Sequence, residues 1–137
     1  IIPEKNPFRR DTSWQYYVPL DCEAMNLAAA VLPLHDDFTS FAKLNSGNKT
    51  NICHVADARW SRLADGEMIF EIRSDRFLRN MIRALVGTMV DVGRGKITAE
   101  RFEQILLGRD LSLSSASAPA CGLFLTDVRY PDEIYKD

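Results

Sequence analysis

Apolar residues in the middle of the chain recur at helical steps. Leu78, Ile82, Leu85, Met89 and Val92 fall three and four residues apart, which predicts one buried face of a helix over residues 76–93. Arg76, Arg79 and Arg83 keep the same steps along a neighbouring stripe that runs on to Gly87. Guanidinium groups offer a fixed fork of donors suited to planar or phosphorylated partners. The pattern by itself fits a buried helix with a solvated basic edge as well.

The flanking segments punctuate clearly. Asp21 is placed to cap a helix over residues 22–32 that carries Met25, Leu27, Ala28, Val31 and Leu32 and ends at Pro33. Residues 52–62 alternate as a strand does, Asp65-Gly66 turns, and residues 67–73 return with Met68, Phe70 and Ile72 on one face. After the central helix, Gly93-Arg94-Gly95 breaks the pattern with a basic tip. Thr98 then caps a helix through Leu107 that Gly108 closes. Residues 1–19 read as extended and turn-rich, with a turn at Asn6-Pro7 and with Trp14, Tyr16 and Tyr17 as packing residues. Residues 35–49 form a loop that is polar except for Phe38, Phe41 and Leu44. Residues 111–122 are a Ser/Ala-rich loop, and residues 123–130 a last strand before Pro131. This order predicts an α+β fold, an antiparallel β-sheet with helices packed on one face and the other face open to a ligand.

At 137 residues the chain fits one domain, with the 46% apolar and 26% charged composition of an ordinary globular protein. A net charge of −2 supplies no overall field for nucleic acid. Locally the balance reverses: between Arg76 and Lys96 stand Arg76, Arg79, Arg83, Arg94 and Lys96 against the single acid Asp91. One face therefore permits a polyanion. Cys22, Cys53 and Cys121 are odd in number and widely spaced, which predicts reduced thiols in a cytoplasmic protein, not a disulfide scaffold or zinc site. No apolar run approaches membrane-spanning length and no signal peptide is visible. The opening Ile1-Ile2-Pro3, without Met, reads as the end of a strand, so a fragment with a missing N-terminal part is expected.

Conventional catalytic patterns are weak. His35-Asp36-Asp37 with His54 offers metal-type ligands at a spacing that matches no site geometry, so no metal is expected. The two histidines and three cysteines lie in unrelated contexts and suggest no nucleophile–base pair. More telling is Ala118-Pro119-Ala120-Cys121-Gly122-Leu123, where Pro and Gly bracket small residues and let the backbone approach another surface closely.

Four stretches together resemble the C-terminal half of the tRNA pseudouridine synthase A family. Asn6-Pro7-Phe8 leading to Trp14 and Leu20-Asp21 looks like the segment after that family's catalytic tyrosine strand. His35-Asp36-Asp37-Phe38-Thr39-Ser40-Phe41 looks like its HDF-[ST]-SF loop. Phe77-Leu78-Arg79-Asn80-Met81-Ile82-Arg83 with Val86-Gly87 and Val92-Gly93 looks like its F-x-x-x-M-[VI]-R helix. Ala118-Pro119-Ala120-Cys121-Gly122-Leu123-Phe124-Leu125 with Tyr130-Pro131 looks like its A-P-x-x-G-L-x-L ending. The likeness covers essentially the whole chain, and the last two motifs at their separation are specific.

The resemblance implies isomerisation of uridine to pseudouridine in a tRNA anticodon stem-loop, by a cytoplasmic homodimer with no metal or organic cofactor. It implies residues 1–20 as a lead-in from a missing N-terminal domain and residues 21–137 as the C-terminal domain of the synthase fold. The family's aspartate nucleophile, in a G-R-[ST]-D context, is not in this chain. Arg73-Ser74-Asp75 is the nearest, and it lacks the glycine and the motif's place in the order along the chain. The stacking tyrosine is expected just upstream of Ile1. Arg83 aligns with the active-site arginine that pairs with the aspartate, and Leu123, beside Gly122, with the apolar lining of the base pocket. Arg79 is expected at the substrate, and Arg76, Arg94 and Lys96 at RNA phosphates, on charge more than on motif. In the loop Asp110-Leu111-Ser112-Leu113-Ser114-Ser115 the chain departs from the family, which often has Arg after the Asp and an Ala-Gly pair further on.

Two other readings compete. A stand-alone, non-catalytic RNA-binding module would stack bases on sheet aromatics, for which Trp60, Phe70 and Phe124 are candidates. A protein-interaction domain using the apolar seam would show no salt-dependent tRNA binding.

Overall fold

The structure is a computed structural model, and it describes residues 1, 14, 16, 18–42, 50–64, 66–78, 80–114 and 117–119. The expected strand at 123–130 and the turn residue Asp65 lie outside the described residues. Helix α1 spans Cys22–Ala29, capped by Asp21, whose Oδ1 accepts from the Ala24 amide at 3.1 Å. It stops at Ala29, short of the expected Leu32. The ring of Pro33 would collide with the carbonyl four residues back, that of Ala29. A single 3₁₀ turn, Leu32–Leu34, carries the chain onward. The helix buries Met25, Ala28 and Ala29, whereas Leu27 points away and is 66% exposed.

Strands β1 (Val55–Arg62) and β2 (Met68–Ser74) form the expected antiparallel hairpin. Trp60 pairs with Phe70 and Ala58 with Ile72, and the register shifts by a bulge between Val55 and Asp57. The Trp60 and Phe70 rings stack 4.9 Å apart on the face that the helices cover. The other face is polar: Arg59 stands opposite Glu71, and Asp57 opposite Arg73.

Both edges of this hairpin have partners. On β1 the side-chain amide of Asn26, in α1, donates to the Trp60 carbonyl at 2.9 Å and accepts from its N–H at 2.7 Å. On β2 the backbone of Ile1 exchanges two hydrogen bonds with Met68, at 2.8 and 2.9 Å.

Helix α2 (Met81–Gly93) is the centre of the core. Its start corrects the expectation of a helix from Arg76. Asn80 takes a left-handed backbone, φ 66°, and breaks any continuous turn from the preceding residues. The seam is also rotated: Met81, Ala84, Leu85, Thr88, Met89 and Val92 are buried, and Ile82 only in part. At the far end Gly93 admits α1. A Cβ on it would lie 2.3 Å from Met25 Sδ, and its carbonyl accepts from the Asp21 amide at 2.9 Å.

Helix α3 (Ala99–Leu107) is capped by Thr98, as its sequence predicts. Gly108 ends it with an ordinary φ of −68°, and the left-handed residue is Arg109. Gly108 packs against Leu113, whose terminal Cδ1 would have to move aside for a Cβ there.

The segment before the hairpin is less loop-like than its polarity suggests. Phe38 and Phe41 are fully buried, and Phe41 stacks on Phe102 of α3 at 5.7 Å. Asp37 holds the Thr39 amide and hydroxyl, and buried Ser40 donates to the Ile105 carbonyl while accepting from the Asp110 amide. This motif thus ties the end of α3 to the core. No helix among the described residues is long and apolar enough to cross a membrane.

Candidate active site

The N-terminal turn of α2 gathers the best candidate chemistry. Arg83, half-buried, donates from Nε to the Ala118 carbonyl at 2.8 Å. The Ala118 amide returns a bond to the Arg83 carbonyl at 2.9 Å. One turn earlier, Asn80 Nδ2 donates to Ser117 Oγ at 2.9 Å. Residues 117–118, just ahead of the Gly122-Leu123 segment, are therefore strapped across the start of α2. Among the described residues no carboxylate pairs with Arg83. With Nε engaged, the two Nη groups remain as the edge that could take a carboxylate end-on.

The other candidates divide. Arg79, Gly122 and Leu123 lie outside the described residues. Arg76 shares the Arg83 end of α2, but its Nη1 lies 3.3 Å from the Thr50 carbonyl and 3.4 Å from that of Ile52. Arg94 and Lys96 sit beyond the opposite end, about 16 Å along the axis from Arg83 at 1.5 Å per residue. Both are exposed, and Arg94 faces Asp91 at 3.8 Å. The three arginines expected on one helical stripe thus occupy no common helix, because α2 begins only after Asn80.

Asp75, the chain's nearest approach to the nucleophile context, is engaged elsewhere. Its Oδ1 accepts from the His54 amide at 2.7 Å, and its Oδ2 lies 2.9 Å from His54 Nδ1. Partial burial works to raise its pKa, but the His54 hydrogen bonds and charge outweigh that and hold the carboxyl below its ordinary value. This pair closes the open end of the hairpin. Its partners are distant in sequence, and no local pattern signals it.

Other reactive groups are similarly occupied. Burial pushes the Cys53 thiol up, and Sγ packs 3.9 Å from Met81 Sδ. His35 Nε2 lies 2.9 Å from Glu103, while Asp37 faces Arg109 at 3.3 Å. The cleft that His35, Asp37 and Arg109 line, about 40 Å³, has room for water and not for a base. Trp60, at 3% exposure, and Phe70 are packed under the helices, so a sheet reader stacking bases on them is not favoured. Phe124 lies outside the described residues.

A family model described as tRNA pseudouridine synthase matches residues 34–131. The tRNA pseudouridine synthase A of Bacteroides thetaiotaomicron is 47% identical over 139 residues, covering 100% of this chain and 52% of that protein. That of Azobacteroides pseudotrichonymphae is 42% identical, covering 100% of this chain and 55% of the relative. That of Porphyromonas gingivalis is 47% identical, with 98% and 54% covered. The chain thus spans about half the length of the curated relatives it matches. The match takes in the α2 motif and Arg83 together with Ser117 and Ala118, the residues strapped to it, and by it the chain belongs to the tRNA pseudouridine synthase family.

Proposed function

We propose that this chain supplies the arginine side of an active site that isomerises uridine to pseudouridine in a tRNA anticodon stem-loop. The observation that carries the reading is Arg83, anchored through Nε to Ala118 with its Nη edge unpaired among the described residues. In this reading the guanidinium holds the nucleophilic aspartate of the preceding part of the enzyme. An ion pair keeps a desolvated carboxylate charged, lowering its pKa by roughly 1–3 units, and fixes its direction. Leu123 forms an apolar wall for the flipped base, offsetting an unstacking cost of about a few kcal/mol. Arg79 contacts the substrate, and Arg76, Arg94 and Lys96 meet tRNA phosphates.

The nucleophile and the stacking tyrosine come from outside this chain, so the isolated 137 residues are catalytically silent. The whole enzyme acts as a cytoplasmic homodimer on this reading. The decisive experiment is Arg83→Ala in the full-length protein, assayed for pseudouridine in an anticodon stem-loop. Turnover should vanish with the fold intact; near-normal activity would sink the assignment.

A further inference from the structure

Asn80 departs from ordinary helix-start behaviour in two ways. An asparagine before a helix usually accepts a hydrogen bond from the first-turn amides, and this one makes no such cap. Its backbone is also left-handed, a conformation that costs energy for any residue but glycine and that asparagine tolerates better than most. Both departures have one result. The amide is turned across the chain to Ser117 Oγ, one residue before the carbonyl that receives Arg83 Nε. Ala118 itself is 5% exposed and its bond from Arg83 is partly buried, whereas the Asn80–Ser117 bond lies at the surface.

We infer that Asn80 is a positioning residue for Arg83: its amide fixes Ser117, and through the next peptide the Ala118 carbonyl sets the direction of the guanidinium. The inference rests on the catalytic reading of Arg83 above. Asn80 touches no reacting atom. It decides which edge of Arg83 faces the carboxylate, and it fixes Ser117 against the start of α2.

The test uses the full-length enzyme. Asn80→Gly keeps the positive φ without strain and removes the amide. Ser117→Ala removes the other partner, and Asn80→Asp retains an acceptor for the Ser117 hydroxyl. Exchange of the Arg83 Nε proton with water, read by NMR and assigned through its loss in Arg83→Lys, reports the strap without any reference to activity. Asn80→Gly and Ser117→Ala should each speed that exchange and lower kcat about fivefold, the worth of one hydrogen bond, with KM within about twofold. Asn80→Asp should restore both. Unchanged exchange in Asn80→Gly overturns the strap, and faster exchange with unchanged kcat overturns the positioning role. If the unsubstituted enzyme makes no pseudouridine, the functional reading fails, and the exchange data still decide the strap.

Discussion

Asn26 and Trp60 exchange two hydrogen bonds, at 2.7 and 2.9 Å, so that one side chain of α1 satisfies both outward-facing backbone groups of a β1 residue. An edge strand with unpaired amides and carbonyls recruits other chains. Here a single amide does at one position what a third strand would do along its length, and it fixes the helix to the sheet. Asn26→Ala leaves the Trp60 N–H and C=O without these partners and should destabilise the protein by about 1–3 kcal/mol. Asn26→Asp keeps the acceptor and loses the donor, so it should fall between. Urea unfolding of the three proteins orders them, and equal midpoints would refute the role.

Gly93 predicts a steric penalty. The Cβ of alanine would overlap Met25 Sδ and Cγ, and Met25 is fully buried with nowhere to swing. Gly93→Ala should cost about 1–3 kcal/mol, as overpacked cores do. Combined with Met25→Ala, the losses should be less than additive, because the second change removes the atoms struck. Strict additivity in thermal or urea unfolding would show that the contact is not the cause.

The His54–Asp75 pair predicts an acid limb in stability. Asp75 has a folded pKa below its unfolded value, so its contribution is fully present above about pH 3.9 and is lost as pH falls through the lower folded value. Its side chain is 49% exposed, which makes the effect small and weaker in high salt. Asp75→Asn should flatten the fall in unfolding midpoint below pH 4. A parallel acid limb in both proteins would locate the titration elsewhere.

Arg83→Lys separates charge from geometry. Lysine keeps the positive charge but has no Nε to give Ala118 while two further nitrogens face a carboxylate. Activity of the full-length enzyme should fall about 10- to 100-fold, with tRNA affinity little changed. Retention of full activity would mean that charge alone suffices.

Local features were legible in the sequence, and the long-range ones were not. Asp21 and Thr98 act within three residues of themselves, so their caps follow from residue type and position. Met68, Phe70 and Ile72 mark their own face by alternation. The start of α2 was not legible: the apolar steps continue through Leu78, and nothing in side-chain polarity records the backbone reversal at Asn80. The stretch from Asp37 to Phe41 looks like a polar loop because its residue types do not record that Asp37 holds Thr39 locally and that the Ser40 hydroxyl turns inward onto the Ile105 carbonyl and Asp110 amide, distant in sequence. Arg83 stands out as a candidate through its motif, but the Ala118 carbonyl that accepts from its Nε lies 35 residues away, where no sequence pattern records it.

The irregularity near Ala56 governs how the hairpin can be edited. Val55 and Trp60 stand five residues apart, an odd interval that on an even pleat would send them to opposite sides, yet they are 6% and 3% exposed. One surplus residue restores the match, and it also sets which way the chain before Val55 enters the core, with Cys53 fully buried there. Deleting Ala56 would remove the bulge and leave Val55 four residues from Trp60, an even interval that keeps both on the buried face of a straighter strand. A residue removed from the solvent-facing tip between the two strands would leave the parity of each intact. The hairpin thus tolerates changes in its length at the tip, and at its root, the end that leads into Arg83, it tolerates a lost residue but not a gained one.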